Sequence, residues 1–148
     1  MNIFDCFMYF DEDMMLDLRF NILNKYVKKF IISESKFTHN GTKRNLKFDI
    51  NNFKRFKDKI EYIVVEDLPK NIEEIKEEDS TNIKNSKILT NALKRENYQR
   101  NMLVKGLKDV ADEELVIISD TDEIPNLSKF KYKSKLNFFI QKMIYYKF

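Results

Sequence analysis

The sequence predicts an α/β sandwich built on a mainly parallel sheet, and three observations predict it. Four short apolar runs, at residues 2–8, 30–33, 60–65 and 115–118, have the length and the Ile, Val and Phe content of buried strands. The stretches between them are long enough for the helical crossovers that parallel neighbours require. Helix signals fall inside those stretches, so the order is strand, helix, strand, helix, strand, helix, strand.

The first strand, 2–8, carries Cys6 into the core. It is the only cysteine, which excludes an internal disulfide and a cysteine-based zinc site. Asp11, Glu12 and Asp13 then supply an acidic helix start. Met14, Met15, Leu18, Ile22 and Leu23 follow at helical spacing and are expected to face the sheet, with Arg19 among them as a structural ion-pair partner. The second strand, 30–33, opens into a polar loop over 34–46 that holds Gly41 and the sole histidine, His39, read as a solvated loop residue. Residues 49–59 predict a short helix with Ile50, Phe53 and Phe56 inward, and the third strand, 60–65, stops at Asp67-Leu68-Pro69. Residues 72–87 are the least core-like and predict a mobile excursion. A helix is predicted over 90–110 with Leu93, Met102, Leu103 and Leu107 on its buried face, then the buried strand 115–118, and one more strand over 135–146.

Composition bounds the class. With 148 residues, 43% hydrophobic and 34% charged, the chain is a globular domain rather than a disordered segment, and a single domain over 1–148 is expected. No apolar run approaches the roughly 20 residues of a membrane-spanning helix, and the first residues lack a basic signal start, so no integral membrane span and a cytoplasmic address are expected. The formal charge of +3 comes from lysines scattered along the chain, which implies a solvated surface and no nucleic-acid partner. Only residues 129–133 alternate basic with aromatic residues, and lysines guarding an edge strand account for that equally well. Two glycines, Gly41 and Gly106, exclude a Gly-rich phosphate loop of either common pattern.

The chemistry concentrates after the last of the four strands. Ser119-Asp120-Thr121-Asp122-Glu123-Ile124-Pro125 places two carboxylates two residues apart, so an extended tip projects both to one side. Such a pair repels itself unless a cation joins it, and hard oxygen ligands suit Mn2+ or Mg2+ completed by water or substrate phosphates. An acidic turn capping the next element has the same spacing. In parallel sheets ligands bind beyond the carboxyl ends of the strands, where residues 6–10, 34–41 and 119–123 are expected to meet.

Several segments, in order, resemble glycosyltransferase family 17: Phe10-Asp11-Glu12, Leu16-Asp17-Leu18-Arg19, Phe30-Ile31-Ile32-Ser33-Glu34-Ser35 with Thr38 and Gly41, Arg95-Glu96-Asn97-Tyr98-Gln99-Arg100-Asn101 with Gly106-Leu107, and 119–125. The family includes the β-1,4-mannosyl-glycoprotein β-1,4-N-acetylglucosaminyltransferase. The resemblance implies a GT-A, Rossmann-like nucleotide-diphospho-sugar transferase fold and metal-dependent, inverting transfer of N-acetylglucosamine from UDP-N-acetylglucosamine to a glycan acceptor. The alternative is a module that binds a nucleotide-sugar without transferring it. Asp120 and Asp122 match the family's Asp-x-Asp motif. Asp122 is then the expected metal ligand, Asp120 a second ligand or a ribose contact, and Glu123 an orienting neighbour. Glu34 either accepts from a uracil N–H or caps the loop it opens, and Arg100, ahead of Arg95, is expected to reach a phosphate or the ribose. Family members run on well past the motif, so the chain is expected to be the donor-binding half. Self-association, or a partner supplying the C-terminal part and the catalytic base, is expected with it.

Overall fold

The computed structural model describes residues 1–132 and 134–140. Strands β1 (Ile3–Met8), β2 (Lys29–Ser35), β3 (Ile60–Val65) and β4 (Leu115–Ile118) form one sheet in the order β3-β2-β1-β4, every neighbouring pair parallel. This is a Rossmann-like α/β arrangement. Helix α1 (Asp13–Leu23) joins β1 to β2, a 3-10 segment (Ile50–Lys59) leads into β3, and α2 (Thr81–Met102) with a 3-10 extension (Leu103–Leu107) precedes β4.

Strand alternation sorts the side chains between two cores. Phe7, Phe30 and Ile32 pack with Leu16, Phe20 and Leu23 of α1 and with Phe53 and Phe56 of the 3-10 segment. Phe4, Cys6, Ile31 and Ile63 point the other way, onto Leu103, Met102 and Leu107. Gly106 makes that second contact close: a Cβ there would lie 2.6 Å from an Ile31 methyl carbon.

Several expectations are corrected at this level. On α1 the buried stripe is Leu16, Arg19, Phe20 and Leu23, whereas Met14, Leu18 and Ile22 are exposed. The helix carries two apolar stripes, and docking selected the one holding Phe20, whose ring meets Phe30, Phe53 and Phe56 within 5.3 Å. Helix α2 begins at Thr81, because Ser80 caps it by accepting from the Ile83 amide, and its buried residues are Asn91 and Gln99; Leu93 is exposed. Residues 81–87 therefore belong to this helix and not to an excursion. β4 is an edge strand in which only Ile117 is buried, since nothing among the described residues pairs beyond it. The strand expected over 135–146 is absent from 135–140, and the rest of it lies outside the described residues. Of the alternating segment 129–133, Lys129 ends a 3-10 turn, residues 130–132 are not strand, and Lys133 lies outside the described residues.

Candidate active site

The chain runs from β1 outward to β2 and β3, then crosses back to lay β4 on the other side of β1. The carboxyl ends of β1 and β4 therefore flank a topological switch point, where open parallel sheets leave a crevice. A cavity of about 520 Å³ lies there, lined by Met8, Tyr9, Phe10, Glu12, Met15, His39, Glu96, Gln99, Asp120, Thr121 and Asp122. Residues from the ends of β1 and β4 and from the loop after β2 thus meet in one place.

The Asp-x-Asp segment is held as a compact loop with its acids outward. The Asp120 amide donates to the Glu123 carboxylate at 3.1 Å, the Glu123 amide returns to the Asp120 carbonyl at 3.1 Å, and the Thr121 hydroxyl bonds the Met8 carbonyl. Asp120 is exposed and pairs with Arg100 at 3.1 Å, while Arg100 also holds Glu96 at 2.9 Å. Asp122 is exposed, and its carboxylate has no hydrogen-bond or ion-pair partner among the described residues. Also among the described residues, no three His, Cys, Asp or Glu side chains cluster closely enough to enclose a metal ion. A cation here would meet at most two carboxylates, which is the donor set of an ion shared with a substrate's own oxygens.

Beneath the loop, Arg19 and Asp5 are wholly buried and paired at 2.7 Å. Burial pushes the Asp5 carboxyl above its ordinary range while Arg19 pulls against that shift. Burial, with Asp5 adjoining, raises the Cys6 thiol to about 12, which leaves it a core thiol without nucleophilic character. Tyr9 donates to Asp13, and burial together with that carboxylate raises its phenol.

Glu34 does not face the cavity. It is fully buried, accepts from the Lys47 amide at 2.8 Å, the Phe48 amide at 3.1 Å and the Tyr62 hydroxyl at 2.7 Å, and pairs with Arg44 at 2.9 Å. Of the two roles open to it, this geometry is that of the loop cap; a uracil N–H would find both oxygens occupied. Arg95 supports the same loop from α2, donating to the His39 carbonyl at 2.9 Å beside Gly41. His39 is exposed at the cavity rim.

A family model described as glycosyltransferase family 17 matches residues 1–143. The chain belongs to that family. Neither the curated proteins nor the solved structures contain a match. As a glycosyltransferase, the chain acts on a sugar donor and an acceptor, and among the described residues no helix is long and apolar enough to cross a membrane. Sequence reasoning did not single out Glu96, Gln99 or Met15 as cavity residues of this glycosyltransferase. The helical spacing of Glu96, Gln99 and Arg100 was the available signal, since positions three and four apart share a face. Gln99 is fixed by donating to the Ser33 carbonyl at 2.9 Å, while the Ser33 hydroxyl donates to the Gln99 carbonyl at 3.2 Å.

Proposed function

We propose that this family 17 glycosyltransferase binds UDP-N-acetylglucosamine at the switch-point cavity through Mn2+ or Mg2+ and passes the sugar to a glycan acceptor with inversion. The observation that carries the reading is the pair of exposed carboxylates, Asp120 and Asp122, beside a 520 Å³ cavity with Arg100 across from them. Their oxygens fit a hard divalent cation, and with two protein ligands at most such an ion keeps positions for a diphosphate. When bound, the metal supplies positive charge against the departing diphosphate.

The chain's own residues divide the remaining work. Asp122, without a side-chain partner among the described residues, is the principal ligand, and Asp120 is the second or contacts the ribose. Arg100 is a cation already at the site, and a diphosphate arriving beside Asp120 would draw its planar donor fork away from the carboxylate. Glu123 keeps the Asp120 amide in place from behind. Glu34 has no part in donor binding, because its carboxylate is spent inside the fold.

Calorimetry with UDP tests the reading: binding is expected with Mn2+ or Mg2+ and is expected to vanish in EDTA. Equal affinity in EDTA would remove the metal from the donor site. UDP release measured with N-glycan and simple sugar acceptors then separates transferase from binding module. Acceptor-dependent release supports transfer, and binding without release identifies a module.

A further inference from the structure

We propose that Arg19 is the positioning residue of the site: a buried guanidinium that fixes the backbone of the Asp-x-Asp loop and so sets the direction of its two carboxylates. This rests on the reading that those carboxylates hold the donor's cation.

Arg19 projects from α1 beneath the loop with no exposed surface. Its Nε and Nη2 donate to the two oxygens of Asp5 at 2.8 and 2.7 Å, and Nη2 also donates to the Ser119 hydroxyl at 2.7 Å. Nη1 donates to the carbonyls of Asp120 at 2.8 Å, Thr121 at 3.1 Å and Glu123 at 3.1 Å. The guanidinium carbon lies 4.5 Å from the centre of the Phe7 ring. Every nitrogen of the guanidinium is engaged, four of the six contacts fall on residues 119–123, and Asp5 neutralises the charge. A loop whose carbonyls are gathered inward on one cation has its backbone direction fixed, and its acidic side chains are left outside.

Energetics point the same way. Desolvating two charges is expensive, and apolar residues of similar volume commonly hold a core equally well or better. Helix-to-sheet adhesion therefore does not explain why an ion pair sits here. Apolar side chains cannot donate to three converging carbonyls, and lysine has a point charge without the fork. Among the described residues the guanidinium donates to the loop and to Asp5 alone.

The test separates stability from positioning. In Asp5→Leu/Arg19→Met the pair is exchanged for apolar side chains, so cooperative melting is expected to persist. UDP–Mn2+ affinity is expected to fall at least tenfold, and the amides of residues 119–123 to exchange at least tenfold faster without ligand. Arg19→Lys is expected to show both changes at smaller size. Leu23→Ala, which opens a cavity on the same helix away from the loop, is expected to lower the melting temperature while leaving affinity intact. A folded double variant with wild-type exchange at 119–123, or with unchanged affinity, overturns the proposal. If that variant does not melt cooperatively, Arg19→Lys decides by the same two measurements: faster exchange with weaker affinity supports the proposal, and wild-type behaviour in either overturns it. If the wild-type chain binds no UDP–Mn2+, the donor reading fails, and exchange alone decides whether Arg19 positions the loop.

Discussion

Two of the loops that leave the carboxyl edge of the sheet are each organised by one buried charge, of opposite sign in the two cases. Under the loop after β4, Arg19 collects carbonyls, and the loop's own acids, Asp120 and Asp122, are left outside. Under the loop after β2, Glu34 collects amide N–H groups and Arg44, and its charge is consumed within the fold. Both arrangements satisfy buried polar groups, as low dielectric demands. The difference is which acids remain free to act: Asp122 stays exposed beside the cavity in the first case, whereas in the second the carboxylate of Glu34 is consumed inside the fold. An acid in a sequence motif is thus a ligand candidate only when the fold has not already used it, which separates Asp122 from Glu34.

The largest effect expected from breaking this contrast is on stability. Glu34→Ala leaves the Lys47 and Phe48 amides and the Tyr62 hydroxyl without their acceptor and Arg44 without its carboxylate, and removing one partner of a buried pair typically costs roughly 3–5 kcal/mol. Denaturant unfolding should show that loss, and the folded fraction should bind metal and UDP as before. Asp122→Asn should do the opposite, weakening UDP–Mn2+ binding by roughly 1.5–3 kcal/mol, the value of a charged interaction, with an unchanged melting temperature. If each variant moved both quantities equally, the division between scaffold acid and ligand acid would be wrong.

Gly41 sharpens the second region with a smaller effect. Its φ of +94° lies where L side chains are strained, and an added Cβ would come within 2.8 Å of the Arg95 guanidinium. Gly41→Ala should cost about 1–2 kcal/mol, the scale of local backbone strain, and calorimetric melting measures it.

The smallest effect is a titration. Burial and the bond to Glu34 raise the Tyr62 phenol above its ordinary value of 10.0, and burial and Asp13 do the same to Tyr9. Each phenol keeps its proton in the folded state at pH values where the unfolded chain would lose it. Their stabilisation is therefore complete below about pH 10 and is lost as pH rises toward the folded values. Absorbance titration should find these two of the seven tyrosines ionising only as the chain unfolds, and Tyr62→Phe should remove one of them. Reversible ionisation of all seven near pH 10 with the fold intact would contradict the buried bonds.

The sequence by itself determined the parallel α/β order and the place of the Asp-x-Asp segment. Strands buried on both faces read as apolar runs, so the central β1 and β2 were local signals, the Ile63-Val64-Val65 end marked the edge strand β3, and Pro125 and the acids marked where the fourth run ends. The residues that resemble family 17 were equally legible, because a motif is written in consecutive positions. Tertiary structure alone decided the rest. Met14, Leu18 and Ile22 compete with Leu16, Phe20 and Leu23 for the same sheet, and only the aromatic cluster contributed by a later 3-10 segment settles which stripe is buried. Glu34 becomes a loop cap through partners 10 to 28 residues away. Arg19 was legible as a structural ion-pair partner, but its acid, Asp5 on β1, and the three carbonyls that the loop after β4 delivers about a hundred residues later were decided only by the assembled fold. Periodicity reports which side chains share a face, whereas the partner of a buried charge is fixed by chain segments that meet only once the sheet is assembled.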